Sequence, residues 1–426
     1  MSKVVVSPAK SFSLSISEIA PDKSISHRSV MFAMLADGES EIRNFLRAED
    51  TLNSLKIVQN LGAKVFDDGK VIRISSHGIK ESSEILDCGN SGTGMRLFCG
   101  LLSSAEGHFV LTGDKYLRSR PMKRVTTPLK NIGAKLDGRE DGDFAPLSIR
   151  GAALKAFDYE SKIASAQVKS CMILAALRAD SKCTYVEPEL SRDHTERMLQ
   201  GMGADIVVDG LKTTIKPLEK LLSPLSIRVP ADPSSAFFFA VAAAITPNAS
   251  VILEGVTLNP TRIEAFRALE RMGTEISYEM SDDKYEPIGN IHVKYAPLHG
   301  IIVEDNISWL IDELPALSIA MACANGESIV KNAAELRVKE SDRISTVVEG
   351  LKACKIEVNE YEDGYKITGG TLQSAKVNSD GDHRIAMSFI IGGLKNGMEV
   401  EDLACINTSF PNFFELLEKI TFLERT

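Results

Sequence analysis

The sequence predicts an α/β protein of two similar domains, each built from three repeated units. Three observations support this. An amphipathic helix motif recurs about every 70 residues, and a second, apolar helix motif recurs at a similar spacing from a different starting point. Turn signals lie between short segments of alternating polar and apolar residues. A period of this length is too long for a solenoid repeat and is typical of a supersecondary unit.

The first motif is an amphipathic helix that ends at glycine. Four clear copies occur at steps of 71, 70 and 70 residues, ending at Gly62, Gly133, Gly203 and Gly273. A weaker copy has Cys354 in place of the glycine. Apolar residues at i, i+3, i+4 and i+7 favour a helix with one buried face, and glycine is common at helix C-termini. Hairpins are predicted at Asp68-Gly69, Asp209-Gly210 and Asp363-Gly364.

The second motif is a polar cluster that leads into a nearly all-apolar helix. It occurs six times, as PDKSISHRSVMFAML, GNSGTGMRLFCGLL, ASAQVKSCMILAAL, DPSSAFFFAVAAAI, DELPALSIAMACA and GDHRIAMSFIIGGL. A helix that is apolar on every side must be surrounded by protein. Each unit therefore holds one buried helix, one surface helix and a few strands.

The sixth unit is incomplete, because no strand hairpin follows the helix FFELLEKI near the C-terminus. We expect the N-terminal alternating segment SFSLSISEI to supply the missing strand. This predicts one domain of residues 1–20 plus 231–426 and another of residues 21–230, with three units in each. Pro21 and Pro230 mark the crossings between them.

Composition limits the classes of function. The 426 residues are 44% hydrophobic and 25% charged, as in globular proteins. A net charge of −9 argues against nucleic acid as the main partner. No apolar run is long enough to span a bilayer, and we identify no signal peptide. The seven cysteines are scattered and never form a CxxC pair, which favours reduced thiols in a cytoplasmic protein and no metal site.

The polar clusters carry the residues that suggest chemistry. A helix N-terminus exposes unpaired N–H groups and the positive end of the helix dipole, so several converging N-termini form an anion site. Cations lie in or beside the clusters at Lys23, Arg28, Arg96, Arg120, Lys339, Arg343 and Arg384. Cations gathered at helix starts in an acidic protein indicate a small, multiply anionic ligand.

Each motif alone has an ordinary structural explanation. GNSGTG can be a glycine-rich turn, RVKESDR a solvated helix start, and His383 a hydrogen-bonded structural histidine. The acid pair Asp312-Glu313 can cap the apolar helix that follows it. HExxH and GxSxG motifs do not occur, which disfavours a zinc protease and an α/β-hydrolase.

Taken together, the motifs resemble the 5-enolpyruvylshikimate-3-phosphate synthase family. They match in order and approximate spacing across nearly the whole chain: PDKSISHR, GNSGTGMR, RSRPM, SAQVKS, IDELPALSIA, RVKESDR, GDHRIAM and SFPNFFELL. The resemblance implies the enolpyruvyl transferase fold, in which each domain has three βαβαββ units around parallel buried helices.

The resemblance also implies an activity. The enolpyruvyl group of phosphoenolpyruvate would pass to the 5-hydroxyl of shikimate 3-phosphate, with release of phosphate, in chorismate and aromatic amino acid biosynthesis. The reaction is an addition followed by an elimination, without cofactor or metal. We expect a cytoplasmic transferase that acts as a monomer on two small molecules, contacts neither nucleic acid nor membrane, and is a target of glyphosate.

The family's site residues carry over to positions of this sequence. The resemblance implies Asp312 as the base, with Glu340 and Lys23 as proton shuttles. The positions implied for shikimate 3-phosphate are Lys23, Ser24, Arg28, Ser165, Ala166, Gln167, Arg192, Asp312 and Lys339. Those implied for phosphoenolpyruvate are Lys23, Gly92, Arg120, Gln167, Arg343 and Arg384.

Three departures are typical of a divergent second branch of the family. Ala166 stands where many members have serine, so Arg192 is expected to supply the lost phosphate contact. Thr408-Ser409 replaces a lysine before the terminal Phe-Pro segment, and Glu335 replaces an asparagine.

Two alternative functions predict sequence features that differ from those of this chain. A UDP-N-acetylglucosamine enolpyruvyl transferase would carry a reactive cysteine shortly before Arg120, but residues 113–119 contain none. A non-enzymatic ligand-binding protein of the same repeats would not need Asp312 and Glu340 among the cations.

Overall fold

The computed structural model describes residues 3–426, and the chain divides into two compact units. Unit 1 holds the N-terminal segment up to Ala20 together with Pro230–Asp283 and Pro287–Thr426, and unit 2 holds Pro21–Val229 and Lys284–Glu286. The predicted domains, 1–20 plus 231–426 and 21–230, differ from these units at Pro230 and at Lys284–Glu286. Tyr285 explains the second difference, because its side chain is buried in the hydrophobic core of unit 2.

Two strands precede unit 2: β1 (Lys3–Val6) and β2 (Ser13–Ile16). The helices of unit 2 are α1 (Lys23–Ala33), α2 (Glu49–Asn60), α3 (Gly92–Leu102), α4 (Lys123–Asn131), α5 (Arg139–Gly142), α6 (Ala166–Ala176) and α7 (His194–Gly201). Its strands are β3 (Glu39–Arg43), β4 (Lys64–Asp67), β5 (Val71–Ser75), β6 (Leu86–Asp87), β7 (His108–Thr112), β8 (Lys135–Gly138), β9 (Phe144–Arg150), β10 (Asp158–Glu160), β11 (Cys183–Val186), β12 (Ile206–Asp209), β13 (Lys212–Ile215) and β14 (Ser226–Arg228).

The helices of unit 1 are α8 (Pro233–Ile245), α9 (Glu264–Arg271), α10 (Ile307–Leu310), α11 (Leu314–Ala322), α12 (Arg343–Ala353), α13 (His383–Asn396) and α14 (Phe413–Leu417). Its remaining strands are β15 (Ser250–Thr257), β16 (Glu275–Asp282), β17 (Ile288–Lys294), β18 (Ile302–Val303), β19 (Glu327–Val330), β20 (Glu357–Tyr361), β21 (Gly364–Thr368), β22 (Lys376–Asn378), β23 (Met398–Glu401) and β24 (Leu423–Arg425). Short 3-10 turns occupy Leu117–Ser119, Ala334–Val338 and Ala404–Thr408.

The strands form six four-stranded sheets that share one topology. In each sheet the first two strands pair in parallel and the other neighbours pair antiparallel, as in β6-β7-β9-β8. Unit 2 also holds β14-β3-β5-β4 and β10-β11-β13-β12. Unit 1 holds β2-β15-β17-β16, β18-β19-β21-β20 and β22-β23-β1-β24. The predicted α/β class with three βαβαββ units in each half is confirmed.

The origin of the sixth unit's strands was predicted wrongly. The segment SFSLSISEI contains β2, which pairs in parallel with β15 and so completes the fourth unit, not the sixth. The sixth sheet is completed by β1, which pairs antiparallel with β23, and by β24, which follows the last helix. The strand β24 has only three residues, too few for its alternation to be recognised in the sequence.

The apolar helices form the interior of each unit, as predicted. All 13 residues of α8 and all nine of α11 are buried. Helix α3 packs against α6 in unit 2, and α13 packs against both α8 and α11 in unit 1. Because these helices have no polar side to expose, burial of their apolar surface stabilises each unit and brings the helix starts close together.

The glycine-terminated helices are also confirmed. Helices α2, α4, α7 and α9 are each followed by a glycine with positive φ, at 98°, 100°, 97° and 113°. In the weaker copy the left-handed residue is Lys355 (φ 61°), while Cys354 is the last αR-like residue before it. Cys354 therefore does not replace the glycine; Lys355 does, one position later.

Candidate functional site

Five of the six buried helices begin with a side-chain cap. The capping groups accept hydrogen bonds from backbone N–H groups of the first turn and belong to Asp22, Ser91, Ser165, Asp232 and Asp382. Each cap satisfies only part of the first turn, and the positive end of the helix dipole remains. The predicted anion-binding character of the helix starts therefore has a local structural basis.

Lys23 and Ser24 form the start of α1 in unit 2. The Lys23 ammonium makes an ion pair with the Asp50 carboxylate, which is buried on α2. The backbone oxygen of Ser24 accepts a hydrogen bond of 3.0 Å from Arg28 Nη1. Asp50 thus holds the Lys23 ammonium beside the helix start.

Arg28 lies one turn further along α1 and is buried. Besides the Ser24 oxygen, its guanidinium donates to Thr195 Oγ1 at 2.8 Å and to Ser170 Oγ at 2.9 Å. These two hydroxyl groups belong to α7 and α6, so Arg28 connects three helices of the unit. A guanidinium oriented by several neutral acceptors has a fixed position for binding an anionic group.

His27 connects α1 to the start of α3. Its Nδ1 lies 2.8 Å from Ser54 Oγ, and its Nε2 lies 3.1 Å from Oγ of Ser91, the N-cap of α3. Burial lowers the pKa of His27 to about 3, and the Lys23 charge adds to this shift. The imidazole is therefore neutral near pH 7 and acts as a hydrogen-bonding link between the helices.

A polar chain crosses from α3 to α6. Arg96 donates from Nη1 to Gln167 Oε1 and from Nη2 to the backbone oxygen of Pro121, at 3.1 Å in the second case. The other end of the Gln167 side chain donates to Thr93 Oγ1 at 2.9 Å. Gln167 is thereby held at the starts of both helices.

Gly92, the first residue of α3, lies against two guanidinium groups. A Cβ atom added at Gly92 would lie 3.1 Å from Arg120 Nη1 and 3.2 Å from Arg96 Nη1. Arg120 is half-buried, and within residues 3–426 its side chain has no recorded hydrogen bond or ion pair. Gly92 and Arg120 therefore leave a cation and the backbone of a helix start accessible at the same place.

The start of α6 holds the next predicted residues. Ser165 Oγ accepts from Val168 N at 3.5 Å, and Ala166 is the first residue of the helix. Ala166 has no hydroxyl to offer, as expected from the sequence, but its backbone N–H lies in the first turn of the helix, where such groups have no intrahelical partner.

Arg192 lies in the loop between β11 and α7, and a buried ion cluster fixes this loop. Lys169 Nζ lies 2.7 Å from Glu187 Oε1 and 2.8 Å from Glu196 Oε1, and donates to the backbone oxygen of Ser191 at 3.1 Å. Burial alone would lower the pKa of Lys169, but the two carboxylates raise it above its ordinary value. The loop carrying Arg192 is therefore anchored to α6.

In unit 1, the acid pair before α11 does not cap that helix. Glu313 occupies the N-cap position without a side-chain hydrogen bond to the first turn. Its carboxylate accepts a hydrogen bond from Ser234 Oγ, whereas Asp312 Oδ1 lies 3.2 Å from Arg343 Nη1. The capping explanation for the pair is therefore wrong, and Asp312 is directed toward a cation.

Arg343, the first residue of α12, is surrounded by carboxylates. Besides Asp312, its guanidinium contacts Glu340 at 2.7 Å and Asp382 at 2.8 Å. Burial alone would lower the pKa of Arg343, but Asp382, Glu340 and Asp312 together raise it. One buried cation thus brings together two of the three predicted proton-transfer residues, Asp312 and Glu340, and the N-cap of α13.

Lys339 is half-buried beside the same group. Removal from water lowers the pKa of its ammonium; the Asp312 carboxylate opposes this shift, and the Arg343 cation adds to it. Lys339 and Glu340 lie in the short segment between the 3-10 turn Ala334–Val338 and α12. RVKESDR is therefore a folded turn and helix start, not only a solvated charge run.

His383 and Arg384 begin α13, where both are buried. Burial lowers the pKa of His383 to about 4, with the Arg384 charge adding to the effect, so the imidazole is neutral near pH 7. The Arg384 guanidinium lies 5.9 Å from the centre of the Phe238 ring, and its Nη1 has no hydrogen-bond partner. Arg384 therefore retains a donor for a ligand.

Residues 3–426 contain no group of three or more His, Cys, Asp or Glu side chains arranged to hold a metal ion. All seven cysteines are free. No helix in this part of the chain is both long and apolar enough to cross a membrane.

Several interacting residues were missed from the sequence. Asp50 and Asp382 contact the predicted site residues Lys23 and Arg343, and His27 contacts the N-cap of α3; only their position near a polar cluster could have indicated them. Arg262 was also missed; it is buried and pairs at 2.7 Å with Asp232, the N-cap of α8. Ion pairs between segments far apart in the chain have no local sequence signal.

The fold and these clusters define a class: a six-repeat α/β protein with cations and carboxylates gathered at helix starts. The model of the family described as EPSP synthase (3-phosphoshikimate 1-carboxyvinyltransferase) matches residues 8–417. Over the full length of both chains, the sequence is 78% identical to a 3-phosphoshikimate 1-carboxyvinyltransferase of Sulfurimonas denitrificans and 63% identical to one of Nitratiruptor. The chain therefore belongs to the EPSP synthase family.

Solved structures agree with this assignment. Two EPSP synthase structures from Acinetobacter baumannii are 39% and 38% identical to this chain, with TM-scores of 0.90 and 0.89. They cover all of this chain, which covers 100% and 99% of theirs. The predicted enolpyruvyl transferase fold is confirmed, and neither the UDP-N-acetylglucosamine enzyme nor a non-enzymatic binding protein is supported.

Proposed function

We propose that this protein transfers the enolpyruvyl group of phosphoenolpyruvate to the 5-hydroxyl of shikimate 3-phosphate and releases phosphate. The reaction belongs to chorismate and aromatic amino acid biosynthesis. The observation that carries the proposal is the Arg343 cluster, where one buried guanidinium holds the carboxylates of Asp312 and Glu340. Such an arrangement suits a reaction that moves protons beside anionic substrates.

The residues proposed for shikimate 3-phosphate are those that the family resemblance implies. They share a hydrogen-bond donor or acceptor at or near a helix start: Lys23, Ser24, Arg28, Ser165, Ala166, Gln167, Arg192, Asp312 and Lys339. In unit 2, Arg28 is fixed by three neutral oxygens and the Arg192 loop by the Lys169 cluster. Fixed cations bind a phosphate with little reorganisation.

The proposed site for phosphoenolpyruvate gathers donors for a phosphate and a carboxylate: Lys23, Gly92, Arg120, Gln167, Arg343 and Arg384. Arg120 and Arg384 have donors without recorded partners within residues 3–426. At Gly92 the absence of a side chain leaves the helix start open beside Arg120. These features support a site for a compact dianion or trianion.

The proposed chemistry has two steps. Asp312 takes the proton of the 5-hydroxyl group while the hydroxyl oxygen forms a bond to C2 of phosphoenolpyruvate. In the same step the methylene carbon of phosphoenolpyruvate gains a proton and becomes a methyl group. Loss of a methyl proton and of phosphate then restores the double bond. Glu340 and Lys23 are proposed to transfer protons at the methylene carbon and the phosphate. The lowered pKa of Lys339 is compatible with a site that exchanges protons.

A cytoplasmic location and a monomeric state are proposed as well. The free cysteines are compatible with a reducing compartment. Cell fractionation and light scattering of the purified protein test these two statements.

The function is tested by mixing the purified protein with shikimate 3-phosphate and phosphoenolpyruvate. Inorganic phosphate and an enolpyruvyl product should appear only when both are present. Trp309, the single tryptophan, is the intrinsic fluorescence probe with which binding of each substrate is to be followed. Phosphate release with UDP-N-acetylglucosamine in place of shikimate 3-phosphate, or no turnover with either acceptor, would contradict the proposal.

A further inference from the structure

Arg337 is the one cation of the RVKESDR motif that has no place in the proposed site. It lies in the 3-10 turn Ala334–Val338, and its side chain remains 27% exposed. An arginine has five N–H groups in a planar fork, and Arg337 donates five hydrogen bonds. This is unusual for a partly exposed side chain, which normally gains little from one ion pair.

The first contacts of Arg337 are with the hairpin formed by β20 and β21. Its Nε donates to the backbone oxygen of Glu362 at 2.7 Å. Its Nη2 donates to the backbone oxygen of Tyr361 at 2.7 Å and to Glu360 Oε1 at 3.0 Å. The 3-10 turn is thereby fixed to the hairpin by three bonds, two of them to main-chain atoms.

The remaining contacts of Arg337 are with the start of α12. Its Nη1 donates to Asp342 Oδ2 at 2.8 Å and to Ser345 Oγ at 3.2 Å. The other oxygen of Asp342 caps α12 by accepting from the N–H groups of Ile344 and Ser345, at 3.2 and 3.1 Å. Arg337 therefore reaches across the segment that follows it and holds the cap of the next helix.

The segment between these two fixed points is Val338–Ser341, which contains Lys339 and Glu340. We propose that Arg337 is a positioning residue that fixes this segment from both ends, so that Lys339 and Glu340 stand in place beside Arg343. The inference rests on the proposed function, because it assigns Arg337 a role in placing two of the proposed site residues.

Unit 2 supplies a matched comparison. Arg47 precedes α2 as Arg337 precedes α12, and it also holds a hairpin, through Asp67 at 2.5 and 3.0 Å and the backbone oxygen of Gly69 at 3.1 Å. No proposed site residue lies between Arg47 and its helix. The same substitution at Arg47 therefore removes a comparable arginine anchor of a hairpin, without a segment of proposed site residues beside it.

The experiment compares Arg337→Lys with Arg47→Lys. Lysine keeps the charge but cannot form the planar fork, so it cannot hold hairpin and helix cap together. We expect Arg337→Lys to lower kcat by roughly 10- to 100-fold, since small misplacements of reacting groups have effects of this size. The KM for shikimate 3-phosphate should rise through Lys339, with a smaller change for phosphoenolpyruvate. Arg47→Lys should leave all three constants within about twofold of the unmodified protein.

Two further measurements separate positioning from loss of folding. Amide hydrogen exchange should speed up in the peptide covering residues 334–345 of Arg337→Lys and stay unchanged in unit 2. Glu360→Gln weakens one of the hydrogen bonds that Arg337 makes to the hairpin. It should change kcat and KM in the same directions as Arg337→Lys, but by smaller factors. Unchanged kinetics in Arg337→Lys, or equal losses in Arg47→Lys, would overturn the inference. An unmodified protein that turns over neither acceptor would instead contradict the proposed function.

Discussion

The two units hold their candidate cations in different surroundings. In unit 2, Arg28 and Arg96 donate hydrogen bonds to hydroxyl, amide and backbone oxygens. In unit 1, Arg343 is held by three carboxylates, those of Asp312, Glu340 and Asp382. The same repeat therefore supports two kinds of charged cluster.

This difference suits the two units to different roles in the proposed reaction. Neutral acceptors orient a guanidinium without cancelling its charge, which suits unit 2 to the binding of anions. Carboxylates around Arg343 keep a buried cation stable and place two proton acceptors beside it, which suits unit 1 to proton transfer. Lys23 is the exception in unit 2, because it pairs with Asp50.

The largest expected effect is in unit 1, at Asp312. Asp312→Asn should lower kcat by roughly 100-fold or more while shikimate 3-phosphate still binds, because the amide cannot accept a proton. The midpoint of thermal unfolding should also fall, because the buried Arg343 guanidinium loses one of its three carboxylate partners. Steady-state kinetics measure kcat, and a Trp309 fluorescence titration measures the binding of shikimate 3-phosphate.

The matched control is Asp305→Asn, which changes an exposed carboxylate on the same segment. It should leave kcat unchanged. Full activity in Asp312→Asn would show that Asp312 is not the base. It would also weaken the assignment of proton transfer to unit 1.

The second effect is in unit 2, at Arg120. Arg120→Gln should raise the KM for phosphoenolpyruvate by roughly 10- to 100-fold, which corresponds to loss of one charge-assisted contact of about 1.5–3 kcal/mol. Stability should not fall, because the Arg120 side chain has no recorded bond to lose within residues 3–426. Arg118→Gln, at an exposed neighbour, is the control. A reduced melting temperature with an unchanged KM would mean that Arg120 is structural.

A smaller effect is expected at Gly92. The added methyl group of Gly92→Ala would lie 3.1 and 3.2 Å from the Arg120 and Arg96 guanidinium groups, so these must shift. By family resemblance, glyphosate extends further toward this glycine than phosphoenolpyruvate does. Inhibition should therefore weaken by about tenfold or more, as expected for a steric penalty of about 1–3 kcal/mol, with a smaller rise in KM.

Gly94→Ala serves as the control on the same helix, because its added methyl group would contact Ser91 and Ser54 and not the guanidinium groups. Equal changes of inhibition and KM in Gly92→Ala would show that Gly92 is a general backbone requirement. The donor phosphate would then not lie beside it.

The smallest effect is a pH dependence of stability. Burial lowers the pKa of His27 in unit 2 to about 3 and that of His383 in unit 1 to about 4. Both are neutral in the folded protein but protonate in the unfolded chain below about pH 6.5. Their contribution is therefore complete above pH 6.5 and is lost as pH falls toward the folded pKa values, by about 1.4 kcal/mol per pH unit for each histidine.

Urea unfolding between pH 7 and 3 measures this slope. His27→Asn and His383→Asn should each make the free energy of unfolding depend less steeply on pH. The effect of His27→Asn should extend to a lower pH than that of His383→Asn, because the folded pKa of His27 is lower. A slope that neither substitution changes would show that other groups determine the acid stability.

Local patterns allowed the sequence to predict the repeated helices. The buried helices follow from continuous apolar residues, and the surface helices from apolar spacing that ends at Gly62 and its counterparts. The assignment of β2 failed, because alternation shows that a segment is a strand but not which strand it pairs with. Pairing depends on the chain path between strands, which a local pattern does not contain.

The same limit applies to the site. Asp312, Glu340, Arg343 and the other candidate positions were chosen because short motifs around them resemble those of the EPSP synthase family, and their roles stay predictions. The tertiary structure alone decided that Asp312 contacts Arg343 instead of capping α11, and that Arg337 joins a hairpin to a helix cap. The physical reason is that a side chain's partner depends on packing between distant segments. Residue type limits the possible bonds, and the fold selects among them.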